Sequence, residues 1–379
     1  MTRLVTVYDD KEPLNNVISA LTLDVDEVFY VYHHEVSRNR FKNIRVVLKK
    51  YKNLKAQFIQ LENDEEQIRE LIADKESTIT DVGGAKYLSL LLFEMAEKNG
   101  NRIVYFDDEE NVIKVYRGHK VIAKPAFHLQ IEDVLKLRGG EIKASMHKPS
   151  TDYRTRKTII ELVENNLGNY STLIKFITKI NSILSSSRKR SARSYILSTS
   201  NVRNIMTDAT YSRIGDLFTI DENVLTFRTA KLRELIGVSG AFLENYLYIK
   251  LSESKQFDDI RMSADIDFSD ERHIQPVRCE IDCLIIKDNR MLFVSCKSTK
   301  ADTDDLNEIY VHNSMFGNAL SSPVLCIADE MDHQYPSIYA KAEELGVYVA
   351  DLSSFENDGI VNTFTEIING TYHYDILPR

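Results

Sequence analysis

"CEIDCLIIKDNRMLFVSCKS", residues 279–298, sets two apolar runs around Lys287-Asp288-Asn289, with acids before the first run and a lone lysine after the second. Asp288 and Asn289 are residue types that tolerate the dihedrals of a two-residue turn, so the stretch reads as a β-hairpin. In that register Asp282 falls opposite Ser295 and Glu280 opposite Lys297, while Ile281 and Cys296 point to the other face. Directly opposed side chains have Cβ atoms about 4.5 to 5.5 Å apart. Two carboxylates that close repel unless a cation sits between them, which points to an oxygen-ligated Mg²⁺ or Mn²⁺. A lysine beside such an ion suits metal-assisted phosphodiester hydrolysis, where it holds or deprotonates water and offsets phosphoryl charge. Glu244, the one acid in the first turns of the helical pattern GAFLENYLYIKL, is placed to add a third carboxylate. A Glu-Lys cross-strand pair is equally a surface ion pair worth under ~1 kcal/mol, so spacing alone leaves both readings open.

Around this hairpin, 379 residues with 43% hydrophobic and 28% charged content imply a soluble globular chain with more than one core. No run approaches the roughly 20 apolar residues of a membrane span, and MTRLVTVYDD meets acids too early for a signal peptide, so a cytoplasmic protein is expected. The four cysteines form no CxxC pair; Cys279, Cys283 and Cys296 read as small hydrophobes of the strands. A net charge of -9 disfavours a non-specific DNA coat, yet SSSRKRSARS (185–194) is a local basic patch suited to a phosphate backbone or to a solvated loop. His128, His147, His273 and His312 are not spaced as a metal set, and His33-His34 lies near the edge of the first block.

The first third alternates short apolar runs with helical patterns, the rhythm of a parallel sheet covered on both faces, hence a Rossmann-like domain. A hairpin pattern, NVIKVYRGHKVIA, and the amphipathic QIEDVLKLRGGEI close it, giving a first domain over 1–145. Residues 146–235 read as a mostly helical or winged-helix-like connector, and 236–379 as a compact α/β unit. In TDVGGAK, after the fourth strand, glycines allow close backbone approach and N–H groups face an anion, with Lys86 adding charge. Thr80, Asp81, Gly83, Gly84, Ala85 and Lys86, with Asp9, Asp10 and Lys11 at the exit of the first strand, are the candidate ligand contacts.

Glu244, Asp282 and a strand ending Ser295-Cys296-Lys297 resemble the PD-(D/E)XK nuclease core, with Ser295 in the place of the usual acid. TFRTAKLRELIGVSGAFLENYLY and EIDCLIIKDNRMLFVSCKS resemble one branch, the CRISPR-associated effectors that fuse a CARF sensor domain to this nuclease, and ITDVGGAKYLSLLLFE resembles the CARF signature Gly-Gly-Thr-Lys, with Ala85 replacing the threonine. The resemblance implies a restriction-endonuclease-like third domain and a metal held by Glu244, Asp282 and the backbone carbonyl near Cys296, with Glu280 close by. It also implies a homodimer that seats a cyclic oligoadenylate, usually the tetra-adenylate, across its two-fold axis. The expected activity is relaxed cutting of single-stranded RNA or DNA and nicking of duplex DNA in type III CRISPR defence. A competing reading is a non-catalytic sensor whose middle block binds DNA as a regulator and whose nuclease fold is degenerate through Ser295.

Overall fold

In the first hundred residues each run becomes the element its period dictates. The computed structural model describes residues 1–117, 120–146, 152–238, 240–268, 277–298, 301–317, 319–329, 336–356 and 359–372. Strands β1 (Arg3–Val7), β2 (Glu27–Tyr32), β3 (Lys55–Gln60), β4 (Thr78–Asp81) and β5 (Arg102–Asp107) run parallel, separated by α1 (Pro13–Thr22), α2 (Arg38–Lys52), α3 (Asp64–Ile72) and α4 (Lys86–Asn99). The sheet order is β3-β2-β1-β4-β5, continued by the antiparallel β6 (Val112–Arg117) and β7 (Lys120–Pro125). The order of successive strands reverses between the parallel neighbours β1 and β4, which opens a crevice beyond their carboxyl ends. Alternate strand residues serve opposite layers: Leu4, Val28 and Tyr30 pack with α1 and α2, and Val5, Val7, Phe29 and Val31 with α3 and α4.

Helix α5 (Ile131–Leu137) follows, and then β8 (Gly140–Met146) leaves the first sheet and pairs with a strand of the third block. Strand β8, within the expected first domain of 1–145 at all but its last residue, thus belongs to the sheet of the third block. The middle block holds α6 (Tyr153–Glu164), α7 (Tyr170–Ser185), β9 (Arg188–Lys189), β10 (Ser194–Ile196), α8 (Thr199–Met206), a 3-10 turn at Ala209–Arg213, β11 (Phe218–Asp221), β12 (Val224–Phe227) and α9 (Ala230–Leu235). Its antiparallel sheet, β11-β12-β10-β9, pairs β10 with the second strand of the β11–β12 hairpin and β9 with β10, a winged-helix-like arrangement. These strands are too short to show a period, which is why the segment reads mostly as helix.

The third block comprises α10 (Ala241–Ser254), β13 (Asp259–Phe268), β14 (Val277–Lys287), β15 (Arg290–Lys297), α11 (Thr303–Phe316), β16 (Ser321–Ile327), α12 (Pro336–Leu345), β17 (Tyr348–Ala350), α13 (Leu352–Glu356) and α14 (Ile360–Asn369). Its sheet runs β17-β16-β15-β14-β13-β8, antiparallel from β8 to β15 and parallel beyond. Strand β13 is absent from the sequence reading, although Ile260, Met262, Ala264, Ile266 and Phe268 alternate as a half-buried strand should. Both faces of this sheet are buried. Cys283, Ile285, Leu292 and Val294 share a core with Ile159, Phe176 and Phe227 of the middle block. Leu284, Ile286, Met291 and Phe293 share another with Leu14, Ile44 and Leu135 of the first. Among the described residues no helix is long and apolar enough to cross a membrane.

Candidate active site and ligand crevice

The hairpin turn forms at Asp288 and Asn289, with φ of 51° and 66°, and the ladder runs from Lys287↔Arg290 to Cys283↔Val294 in the expected register. Beyond that point the strands part. Asp282 Oδ2 accepts the Cys296 N–H at 2.7 Å and lies 3.5 Å from Ser295 Oγ, so a carboxylate occupies the donor that a strand partner would use. The pairing of Glu280 with Lys297 does not form. Glu280 faces Asp265 of β13 instead, and Lys297 turns to α11, where its Nζ lies 2.7 Å from Asp305 Oδ1 and 3.7 Å from Glu308 Oε2. Nor do Ile281 and Cys296 share a face: Ile281 packs into the core shared with the first block, Cys296 into that shared with the middle block. The cause is local. Between Met262↔Cys283 and Ala264↔Ile281 the ladder skips Ser263 and Asp282, with Ser263 at φ 47°.

Glu244 reaches this mouth from the first turn of α10. Gly240, at φ +81°, leaves room for it, since a Cβ there would lie 2.7 Å from Glu244 Oε1. Ser263 Oγ donates to Glu244 Oε2 at 3.5 Å, a contact that sequence reasoning misses together with β13. Burial, then the charges of Asp282 and Glu280, push the Glu244 carboxyl up to about 7, against the Ser263 hydrogen bond. Burial also raises Asp282, opposed by the Cys296 N–H and by Lys297. Burial disfavours the Lys297 ammonium, but the hydrogen bond and charge of Asp305 and the charges of Glu308 and Asp282 outweigh it and raise its pKa. The Cys296 side chain is buried, and its hydrogen bond with Cys326 and its burial lift the thiol well above its ordinary range. The available donors are therefore hard oxygens, and they fit Mg²⁺ or Mn²⁺ rather than a thiophilic ion. Among the described residues, the one trio of His, Cys, Asp or Glu with ligand atoms within 4.8 Å of one another is His128, Asp258 and Asp288, at the other end of the hairpin. The carboxylates at the mouth are spread wider than that. His312 is half-buried on α11, and His147 and His273 lie outside the described residues.

In the first block, Gly83, Gly84, Ala85 and Lys86 follow β4, and Asp9, Asp10 and Lys11 follow β1, at the carboxyl ends of two adjacent parallel strands. Gly84 sits at φ +110° with its Cα against β1, where an added Cβ would meet the Val7 carbonyl oxygen at 2.3 Å. Thr80 and Asp81 are not on the crevice surface, contrary to the sequence expectation. Thr80 is buried and donates to the Arg102 carbonyl at 3.0 Å. Asp81 is buried and accepts from Thr6 Oγ at 3.2 Å, Asn16 Nδ2 at 3.3 Å and the Gly83 N–H at 3.2 Å. The sheet is covered on both faces, so these consecutive side chains are both buried, and Asp81 props the glycine loop from below. Asp10 is partly engaged, accepting from Tyr8 at 2.9 Å with Arg40 at 3.7 Å. Tyr87, exposed and stacked 6.1 Å from His33, extends the rim and was not singled out from the sequence; His33 in turn contacts Asp64 at 2.5 Å.

A sequence model of the endonuclease domain of Card1-like proteins matches residues 232–321, a span that holds Glu244, Asp282 and Lys297. That stretch is similar to a Card1-like endonuclease domain. Solved structures share its fold almost end to end. Protein VC1899 from Vibrio cholerae aligns with TM-score 0.78 at 15% identity over 98% of both chains. Can2 from Sulfobacillus thermosulfidooxidans, solved in complex with cyclic tetra-adenylate, aligns with TM-score 0.68 at 15% identity over 97% of both. A type III CRISPR defence DNA nuclease activated by cyclic oligoadenylate aligns with TM-score 0.53 at 13% identity, over 100% of this chain and 52% of its own. No curated protein sequence matches the chain. The stretch similar to Card1-like endonuclease domains thus lies within a chain that shares the α/β fold of these solved structures.

Proposed function

We propose that the chain is a metal-dependent nuclease of type III CRISPR defence, switched on by a cyclic oligoadenylate. The observation that carries this reading is the meeting of Asp282, Lys297 and Glu244 at the parted end of one hairpin, inside the span matched by the Card1-like endonuclease domain. Glu244, Asp282 and the Cys296 carbonyl would hold Mg²⁺ or Mn²⁺, with Glu280 beside them and Ser295 as a weak neutral neighbour. Such an ion supplies Lewis-acid polarisation of the scissile phosphate and a more acidic water. Lys297, kept charged by Asp305 and Glu308, orients that water and offsets charge on the phosphoryl oxygens. With no base-reading motif, single-stranded RNA, single-stranded DNA and nicked duplex DNA are the substrates to test. Cutting that requires both Mn²⁺ or Mg²⁺ and cyclic tetra-adenylate supports the reading; ligand-independent cutting, or none with ligand bound, overturns it.

The activator reading rests on the glycine loop and on Can2, which was solved with cyclic tetra-adenylate. A homodimer is supported by an apolar face of α4, where Tyr87, Leu90 and Phe93 are 63%, 70% and 44% exposed. Tyr105, Tyr116 and Val121 continue it on the sheet.

Metal affinity should depend on pH with a sign set by Glu244. Its carboxyl titrates at about 7, so below that value a proton competes with the ion. Mn²⁺ affinity is expected to fall up to about tenfold per unit between pH 7 and 6 and to level off above pH 8, read by calorimetry on the full chain. A flat profile would remove Glu244 from the ligand set.

The β9–β10 segment exposes Arg188, Lys189, Arg190 and Arg193, and we assign it to the phosphate backbone of the substrate. Replacing the first three by alanine is expected to flatten the salt dependence of single-strand affinity by about 2 in log–log slope, at ~0.7 per phosphate contact. An unchanged slope would return the segment to the role of a solvated loop. The regulator reading draws on the winged-helix arrangement of the middle sheet, and it requires DNA binding without metal.

A further inference from the structure

The end of the third sheet remote from Glu244 and Asp282 is seated in the first block. Asn289, the second residue of the hairpin turn, is fully buried. Its Oδ1 accepts the Leu129 N–H at 2.9 Å, and its Nδ2 donates to the Phe127 carbonyl at 2.9 Å and to Asn111 Oδ1 at 3.0 Å. Arg290 donates to the carbonyls of Asp108 and Glu109, both at 3.2 Å. The Asp288 N–H donates to Asp258 at 2.8 Å, and His128 stands 3.4 Å from Asp288 and 3.5 Å from Asp258. Beside this tip, Glu12 accepts the Ala319 N–H just before β16 at 3.1 Å, and Arg138 donates to the Lys11 carbonyl. Lys11 and Glu12 belong to the loop that follows β1 into the ligand crevice.

A buried amide is costly unless its polar atoms are paired, so three hydrogen bonds fix the tip rather than merely touch it. From there β14 and β15 stay paired as far as Cys283↔Val294, and Asp282 lies about 23 Å along the strand from Asn289 at ~3.3 Å per residue. Both hairpin faces are packed in cores, so the hairpin moves as a stiff unit. Glu244 is not on the hairpin: its helix α10 packs on the sheet face turned to the middle block and is tied to α6 of that block by Arg156–Glu253 at 3.1 Å and Lys250–Glu164 at 3.2 Å. Asp282 and Lys297 thus lie on the element whose tip is held by the first block, and Glu244 on the helix held by the middle block, so a shift between those blocks bears on this site.

We propose that Asn289 is a positioning residue for the nuclease site: it anchors the hairpin tip in the sensor, so that ligand-driven movement of the sensor is delivered to the carboxylates at the far end. This rests on the function proposed above. It names the element that couples ligand to chemistry, a two-state linkage in which the ligand's differential affinity does the work.

The test uses the full chain. Asn289→Gly keeps the left-handed turn and removes all three hydrogen bonds; Asn289→Asp keeps the acceptor for Leu129 and loses both donations, and it carries the comparison if the glycine variant lacks a cooperative unfolding transition. Three quantities are read with cyclic tetra-adenylate and Mn²⁺: ligand affinity, ligand-induced change in amide exchange over residues 283–294, and cutting with and without ligand. The expected result is ligand affinity and ligand-free cutting within about threefold of wild type, stimulation by ligand reduced at least tenfold, and loss of the exchange change over the hairpin. Stimulation and exchange changes of wild-type size in the variant would overturn the proposal alone. A wild-type chain that binds the ligand without stimulation, or does not bind it, would bring down the function reading and this inference with it.

Discussion

Asp282→Ala is expected to lower cutting at least a thousandfold while leaving cyclic tetra-adenylate affinity unchanged. A thousandfold is about 4 kcal/mol of transition-state stabilisation, within what loss of a metal ligand removes. Asp282 carries that weight because no neighbour duplicates it. Ser295 is a neutral hydroxyl, Glu280 does not share Asp282's hydrogen bond to the Cys296 N–H, and Glu244 comes from a different element. Misfolding does not account for the loss in advance: Asp282 is a buried carboxylate whose pKa is raised by burial and by Glu280 and Glu308, so removing it relieves repulsion as well as leaving the Cys296 N–H without its acceptor. The change should also draw the Glu244 carboxyl down from about 7, because one of the charges that raises it is gone. Single-turnover cutting in Mn²⁺ with saturating ligand is the measurement. A variant that retains a tenth of wild-type activity would place the chemistry elsewhere.

The second large effect concerns one methyl group. Gly84→Ala should weaken cyclic tetra-adenylate binding at least a hundredfold, about 2.7 kcal/mol, with metal affinity unchanged. The added Cβ would lie 2.3 Å from the Val7 oxygen and 3.1 Å from the Val7 carbonyl carbon, which are strand backbone and cannot move aside, and φ +110° is disfavoured for any side chain. The loop must lift off β1, taking its N–H groups away from the crevice. Gly83→Ala is the control, because its nearest neighbours, Asn16 Nδ2 and Asp81 Oδ1, stand at 3.5 Å, an ordinary contact. That variant should bind within about fivefold of wild type. Titration calorimetry separates the two, and equal affinities would dissociate the glycine loop from the ligand.

The hairpin register is legible in the sequence because Asp288 and Asn289 fix it locally, and the parallel sheet is legible because its strands and helices each carry their own period. What the sequence conceals depends on contacts between distant residues. Lys297 is claimed by Asp305 and Glu308, on a helix whose orientation no spacing rule supplies. Thr80 and Asp81 stand next to the glycines in the chain, but β4 turns one toward β5 and the other toward Thr6 and Asn16. Ser263 lies on a strand whose irregularity appears only when β13 is laid against β14. The seven residues of β8 begin at the second glycine of a Gly-Gly pair that looks like a boundary, and the chain crosses to another sheet there.

The third sheet has no face of its own to show to water, since each side is completed by a different neighbour and one edge strand comes from upstream of the middle block. Its folding is therefore a joint event, and thermal unfolding should not resolve into separate sensor and nuclease steps. For the same reason such a nuclease cannot be exchanged as a cassette: a recombination joint near residue 236 would strand two apolar surfaces and leave β13 an open edge. On the function proposed above, sensor and nuclease would be inherited only together, and cutting could not outlive the element proposed to govern it.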